Sequence, residues 1–232
     1  VVNNDGGNIT LTATNDGGDD DDLTISANVT AAGGNGAIDL NAGTDLIVDS
    51  DAVISTVGSG NIDGDADRAI SISGSGTTIQ TDAGDITLTG NAGGHAGNFV
   101  GLTVDDAAVQ STSGSISLTG TGGDTGDNNH GVHLTNGALV DSNGAGTVTV
   151  NGTASTGGMS DGVMVDGTSI VESAGGDIQI TGMSADDQGV RVTDSDVTAT
   201  GTAAITIMGT GTTGTSGTGV SIGGTTSTIS AV

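Results

Sequence analysis

The sequence predicts an all-β protein, a right-handed parallel β-helix (β-solenoid) of about eight turns with three strands in each turn. One stretch, Gly84–Gly90, alternates polar and apolar residues between glycines, and similar stretches recur along the chain. The first apolar residues of four successive copies, at 86, 116, 148 and 178, lie 30, 32 and 30 residues apart. A unit of that size cannot bury its own apolar face, so the regular period indicates stacked repeats.

The composition agrees with stacked coils rather than with an ordinary globular core. The 232 residues include 45 Gly, no Pro and a single aromatic residue, Phe99. A coil must hydrogen-bond to its neighbours through its backbone N–H groups, and Pro would delete such a bond. With almost no aromatic residues, the core has to be built from many small aliphatic side chains.

The first predicted strand of each turn carries two apolar residues, two positions apart, that point to the same face. A weak copy at Ile62 has only one such residue. The pairs are Ile9/Leu11, Ile38/Leu40, Ile86/Leu88, Ile116/Leu118, Val148/Val150, Ile178/Ile180 and Ile205/Ile207.

The second and third predicted strands follow the same rule. The second strand also carries inward pairs: Leu23/Ile25, Leu46/Val48, Ile70/Ile72, Leu102/Val104, Val132/Leu134, Val163/Val165, Val190/Val192 and Val220/Ile222. The third strand has one main apolar residue per turn: Val29, Val53, Ile79, Val109, Val140, Val171, Val197 and Ile229. Alternation with period two means that one face of each strand is buried and the other is exposed to solvent.

The connection between the first and second strands is the part of the repeat that varies in length. The longer connections are 91–100, 121–130, 153–161, 183–188 and 210–218. Stacking places them at one corner of the solenoid, and we call this row of loops the ridge. Variation confined to one edge is typical of a binding surface. The candidate ligand-binding residues of the ridge are His95, Asp124, Asp127, Asn128, Asn129, His130, Asp161, Asp186 and Asp187.

The repeat units also resemble a known group of proteins. The pattern Gly-x-Ile-x-Leu-Thr-Gly opens the segments Gly84–Ser111 and Gly114–Ser142, and variants of it open Gly146–Ser173 and Gly176–Thr200. All four segments are rich in Thr, Ser, Asn and Gly. They are similar to repeats of large bacterial surface exoproteins: filamentous-haemagglutinin-like and autotransporter-passenger adhesins, and β-strand-repeat proteins. The resemblance implies export, a long extracellular stalk or fibre, and a role in adhesion.

The charge is strongly one-sided, with 28 acidic residues against two basic ones, Arg68 and Arg191, and a formal net charge of −26. This excludes nucleic acid as a partner, since phosphate binding needs Lys and Arg. It also disfavours anionic lipid. No run of about 18 apolar residues exists, so the sequence predicts no membrane insertion.

Nearly all the acids are Asp, which suits both tight turns and oxygen ligands for Ca²⁺. The candidate metal ligands fall in two clusters. They are Asp16, Asp19, Asp20, Asp21 and Asp22 in the first, and Asp63, Asp65 and Asp67 in the second. The alternative is a solvated loop tip for the first cluster and an Asp-rich turn for the second. The three His residues, His95, His130 and His133, fit chance surface positions better than a metal site.

Catalysis is not predicted. Sugar-cleaving β-helices need basic residues or aromatic platforms near paired carboxylates, and here the two Arg lie about four turns apart. An outward column of Thr and Ser, including Thr10, Thr87 and Thr149, raises ice binding as an alternative, although Asp39, Asp63 and Gln179 interrupt it.

The hypothesis that fits these observations best is structural. We interpret residues 1–232 as one elongated solenoid, a segment of a longer chain or a filament subunit. It is expected to form an acidic extracellular or cell-surface shaft that stacks head-to-tail or in tandem and is stabilised by cations such as Ca²⁺. The alternatives are a module that binds a glycan or a cell surface through the ridge, and an ice-binding solenoid.

Overall fold

The computed structural model describes residues 1–17, 21–155, 158–212 and 217–232, and in these ranges it contains β-strands and no helix. The strands form three parallel sheets in which every neighbour in space comes from the preceding or following coil. The chain is therefore a parallel β-solenoid with three strands per coil, which confirms the fold class that the sequence predicts. No helix in the described ranges is long and apolar enough to cross a bilayer.

Each sheet collects one strand from every coil. The first sheet consists of β2 (Ile9–Ala13), β5 (Ile38–Ala42), β8 (Ile62–Ala66), β11 (Ile86–Gly90), β14 (Ile116–Thr121), β17 (Val148–Ala154), β20 (Ile178–Ser184) and β23 (Ile205–Gly211). The second consists of β3 (Leu23–Ile25), β6 (Leu46–Val48), β9 (Ile70–Ser73), β12 (Leu102–Asp105), β15 (Val132–Thr135), β18 (Val163–Val165), β21 (Val190–Thr193) and β24 (Val220–Gly223). The third consists of β1 (Val2–Asn4), β4 (Val29–Ala31), β7 (Val53–Thr56), β10 (Thr78–Thr81), β13 (Ala108–Ser111), β16 (Leu139–Ser142), β19 (Ile170–Ser173), β22 (Asp196–Ala199) and β25 (Thr228–Ala231).

The core is a continuous spine of aliphatic side chains that runs along the solenoid axis. Strand pairing places equivalent apolar residues directly over one another, as in Leu88, Leu118 and Val150 of the first sheet. All three side chains are fully buried, as are their counterparts through most of the solenoid. At a spacing of about 4.8 Å, the eight coils span roughly 40 Å along the axis.

Two details of the predicted core need correction. In β7 the sequence predicts Val53 as the inward residue, and this prediction is wrong. Ile54 is the inward residue, because it is fully buried and stacks between Val29 and Ile79. Two adjacent apolar residues left the alternation ambiguous at this point. The second correction concerns the last coil, where Ile222 and Ile229 are 51% and 36% exposed. They occupy inward positions on β24 and β25, the last strands of their sheets.

The weak copy at Ile62 has a packing explanation. Gly64 stands where the other first strands carry Leu or Val, and it pairs with Leu40 and Leu88. A Cβ at Gly64 would lie 2.8 Å from a methyl group of Leu88 and 3.2 Å from one of Leu46. The neighbouring leucine side chains therefore occupy the space that a larger residue would have filled.

A column of glycines allows the coils to approach at the corner that precedes the first sheet. Its members are Gly36, Gly60, Gly84, Gly114, Gly146 and Gly176. A Cβ on any of them would overlap the backbone carbonyl of the equivalent glycine in the preceding coil. The glycine that opens each sequence repeat is thus required by the close approach of two backbones.

Many acidic and amide side chains cap backbone N–H groups of the next coil. Asn61 accepts from the N–H of Asp85 at 3.0 Å, and Asp85 in turn accepts from the N–H of Ser115 at 2.7 Å. Asp177 accepts from the N–H of Ala204 at 2.8 Å. Part of the Asp bias therefore serves the stacking of coils, since these carboxylates satisfy donors at corners between strands.

Candidate functional site

The ridge loops leave the solenoid between the first and second sheets. Pairs of glycines close the base of each loop: a Cβ on Gly90 would overlap the carbonyl of Gly101, and one on Gly152 would overlap the carbonyl of Gly162. Because their flanking strands stack in register, the loops of successive coils lie next to one another. The loops also bond to each other, since the N–H of Gly158 donates to Asp127 at 3.0 Å.

The structure brings two of the predicted ridge residues together. His130 is 5% exposed and Asp161 is fully buried, and the N–H of Asp161 donates to Nδ1 of His130 at 3.0 Å. Nδ1 of His130 lies 3.8 Å from Oδ2 of Asp161. Since Nδ1 accepts the backbone hydrogen bond, the neutral ring carries its proton on Nε2.

Burial sets the protonation of this pair. Burial, with His133 and Arg191 nearby, lowers the pKa of His130 to about 4, so the ring is neutral at pH 7. Burial and the neighbouring carboxylate of Asp187 raise the pKa of Asp161 to about 6. The neutral imidazole and the carboxylate therefore do not form an ion pair at pH 7, and the hydrogen bond between the two residues is the one from the backbone N–H of Asp161.

The remaining ridge candidates have separate positions. Asn128 is exposed, whereas Asn129 is fully buried, and its amide donates to the carbonyl of Thr125 at 2.7 Å, so it holds the loop together. Asp124 ties its loop to the previous one by accepting from the N–H of Gly97. His95 and Asp186 are exposed on other loops, and Asp187 is buried beside Asp161. The ridge candidates therefore do not form a single surface.

Sequence reasoning assigned no binding role to four residues that complete this region. His133, Met164 and Arg191 occupy the same outward position on β15, β18 and β21, where strand pairing stacks them one above another. Met159 lies on the adjacent loop and is 58% exposed. The signal was available in the sequence, because each of the three strand residues sits between two inward residues of the second predicted strand.

These residues line a cleft of about 280 Å³ between the ridge and the second sheet. Arg191 lies 3.9 Å from Oδ2 of Asp161 and its Nε lies 3.4 Å from Oγ1 of Thr193. Nε2 of His133 lies 3.1 Å from Oδ1 of Asp166, and the rings of His130 and His133 are 4.9 Å apart. Chemically, the cleft combines a guanidinium group and two imidazoles with the apolar surface of methionines.

The predicted cation sites do not converge in the part of the chain that the structure covers. Within those residues, no three or more His, Asp or Glu side chains gather closely enough to hold a metal. Asp21 accepts from the N–H of Asp16, and Asp22 accepts from the N–H of Asp45. Asp19 and Asp20 lie outside the described residues. The calcium site stays a prediction.

The second predicted cluster has a different geometry. Asp63 and Asp65 are on the outward face of β8, where Asp63 pairs with Asp39 of the preceding coil. Partial burial and the charges of Asp39, Asp65 and Asp85 raise the pKa of Asp63. Asp67 lies beyond the end of this strand, and its Oδ2 is 3.5 Å from Nδ2 of Asn15.

Comparison with known proteins adds no relative to this picture: no protein-family model, no curated protein and no solved structure matches the chain. The class that can be assigned is therefore the fold itself, a parallel β-solenoid. The resemblance to bacterial surface exoproteins stays a prediction from the repeat pattern.

Proposed function

We propose that this chain is a rigid acidic shaft of an extracellular fibre or cell-surface adhesin, which assembles by stacking coil upon coil. The observation that carries the proposal is the aliphatic spine, one cluster of buried apolar side chains that extends from Ile9 in the first complete coil to Val197 near the other end. Each coil contacts only the coils before and after it. Such a body can be lengthened without changing its cross-section.

The charge distribution supports association at the ends rather than at the sides. A net charge of −26 makes lateral contact between two solenoids unfavourable, because like-charged flanks repel each other. The end coil is different, since Ile222 is 51% exposed there although its counterpart Val192 is fully buried. A further coil, from the same polypeptide or from a second copy, would cover this apolar end.

Two adjacent residues of β24 allow a matched test of end-to-end stacking. Ile222 occupies an inward position at the end of the spine, and Ser221 occupies the outward position next to it. Ile222→Asp and Ser221→Asp each add one negative charge, but only the first places it on the apolar end face. Assembly at high protein concentration is followed by multi-angle light scattering and by negative-stain electron microscopy.

The wild-type protein and the Ser221→Asp variant are expected to form end-to-end filaments, and Ile222→Asp is expected to remain dispersed. Circular dichroism verifies that all three are folded. Wild-type protein that stays monomeric at the highest concentration reached would contradict the self-stacking proposal. Equal assembly by both variants would mean that the apolar end is not the contact.

The ice-binding alternative rests on the outward column of the first sheet. Asp39, Asp63 and Gln179 stand in register with its hydroxyl residues and break the regular Thr array. We therefore favour the shaft. The alternative of glycan binding through the ridge would use the cleft lined by His130, His133 and Arg191.

A further inference from the structure

The cleft beside the ridge is lined by three of the five Arg and His side chains of this acidic chain. The sequence contains two Arg, three His and no Lys, and Arg191, His130 and His133 all line this cleft. The only other Arg, Arg68, is on a distant coil, where it forms a two-point ion pair with Asp45 at 2.6 and 2.8 Å. Arg191 has no such two-point contact among the described residues.

The donors in the cleft are held in fixed orientations. Nδ1 of His130 is occupied by the N–H of Asp161, so the Nε2–H group is the one left for a ligand. Arg191 is placed by Thr193 at its Nε and by the carboxylate of Asp161 near Nη1, and its side chain is 37% exposed. Asn128 adds an exposed amide from the loop side.

This arrangement favours an oxygen acceptor over a metal ion. A metal at Nε2 of His130 would need the lone pair of that nitrogen, and the proton would have to move to Nδ1, where it would face the N–H of Asp161. A ligand carboxylate has no such conflict. Its two oxygens match the planar guanidinium of Arg191 and accept from an imidazole N–H.

The other wall of the cleft is apolar. Val100, Met159 and Met164 line it, and methionine side chains adapt to irregular surfaces. A volume of about 280 Å³ lies just below the range of about 300–1,000 Å³ for small-molecule sites and suits one sugar residue rather than a long oligomer. The ligand therefore needs a carboxylate at one end and, at the other, a carbon skeleton whose C–H surface can pack against the apolar wall.

We propose that this cleft binds the carboxylate of an acidic sugar residue of the uronic-acid class, with Arg191 as the anchoring cation and His130 and Asn128 as hydrogen-bond donors. The proposal makes the glycan-binding alternative specific to one site. It does not depend on self-assembly, because the cleft lies on the side of the solenoid and not at its end.

The acidic groups around the cleft predict how binding changes with pH. Asp161, Asp166 and Asp187 face this region and oppose an anionic ligand, while His133 lies next to Asp166. At physiological salt, charges beyond about 8 Å are largely screened, so these nearby acids dominate the repulsion. The pKa of Asp161 is about 6, so its charge is lost as the pH falls through this value. Binding should tighten below pH 6, where a uronate is still ionised.

The test uses glucuronate as the probe and methyl glucoside, a neutral sugar that lacks the carboxylate, as the ligand control, titrated by NMR and calorimetry on both sides of pH 6. Arg191→Gln removes the proposed anchor. Arg68→Gln makes the same change of charge on a distant coil and serves as the protein control. Circular dichroism establishes that both variants are folded at the temperature of the titration.

The wild-type protein should bind glucuronate saturably, more tightly below pH 6 than above it. Arg191→Gln should weaken binding by about tenfold or more, the loss expected for a charge-assisted pair, and Arg68→Gln should leave it unchanged. The proposal would be overturned if wild-type protein did not bind glucuronate, if Arg191→Gln bound it equally well, or if methyl glucoside bound with the same affinity. If the cleft does not bind glucuronate, end-to-end stacking of the solenoid is still expected. The binding proposal and the stacking proposal can therefore fail independently.

Discussion

The glycine column offers the sharpest perturbation of the stacked coils. Replacing Gly84 by Ala would place a Cβ well under 3.0 Å from the carbonyl oxygen of Gly60, closer than Cβ atoms approach any atom. The obstacle is backbone, so no side chain can move out of the way. The backbone φ of Gly84 is not in the left-handed region, and the whole effect therefore comes from the approach of two coils.

The magnitude can be worked from the hydrogen bonds beside this corner. To admit the methyl group the coils must separate locally by about 1 Å. The bonds from Ile62 N to Asp85 O and from Ala83 N to Gly58 O, now 2.9 and 2.8 Å, would then exceed hydrogen-bond length. Losing one buried bond costs about 1–3 kcal/mol and losing one that water can reach costs about 0.5–1.5 kcal/mol. Gly84→Ala should therefore destabilise the fold by about 2–4 kcal/mol.

Gly223→Ala is the control, because a Cβ at Gly223, at the end of β24, has no atom within 4 Å. It should be neutral or should stabilise the protein by up to about 1 kcal/mol, since Ala has less conformational entropy to lose than Gly. Urea unfolding followed by far-UV circular dichroism measures both free energies. Equal midpoints for Gly84→Ala and wild type would refute the reasoning that coils are in backbone contact at this corner.

Three further substitutions test the core, the outward face beside it and one buried acid. Leu118→Ala removes a fully buried side chain from the middle of the spine and should lower the free energy of unfolding by about 2–5 kcal/mol. Ser117→Ala on the outward face of the same strand should change it by less than about 0.5 kcal/mol, and similar losses from both would argue against the assigned faces. Asp141, which pairs in register with Glu172, has its pKa raised from 3.8 to about 6 by burial and then by Glu172. A raised pKa means that the folded state holds the proton more tightly, so this group lowers stability as the pH rises from about 4 to 6. Asp141→Asn should therefore melt at a higher temperature than wild type above pH 6 and at the same temperature near pH 4, and a variant that melts lower at every pH would contradict the assignment.

The inward columns could be read from the sequence because burial in a strand has a period of two and the repeats fix the register. This reasoning failed at Val53, where Ile54 beside it is equally apolar and only the stacking on Val29 and Ile79 decides between them. It also could not explain Gly64, since the leucines that fill its space belong to other strands and coils.

The candidate site was only partly predictable. The alignment of loops follows from the repeat, but the sequence lists His130 and Asp161 only as two residues of the ridge, and their contact is found in the structure alone. Loop side chains have no periodicity, so the sequence could not tell that Asn129 is buried and bonded to its own loop while Asn128 is exposed. The outward column consists of His133, Met164 and Arg191, which alternate with inward residues on their strands. This column could have been predicted by applying the period of two to the solvent-exposed face of the second sheet as well.

Most Asp residues had two possible roles in the sequence, in turns or as cation ligands. The structure gives several of them a third role, in which the carboxylate caps an N–H of the next coil, as Asp85 does for Ser115 and Asp177 does for Ala204. This role depends on the distance between coils. It cannot be inferred from a local motif, because the donor lies about one full repeat away.

The register of the aliphatic spine can be measured directly by NMR on selectively methyl-labelled protein. The account predicts nuclear Overhauser contacts between the methyl groups of Leu88 and Leu118, and between those of Leu118 and Val150, residues separated by about one repeat but directly stacked. Absence of these contacts, together with methyl contacts that require antiparallel neighbours or a different register, would contradict the stacked parallel coil on which the proposals rest.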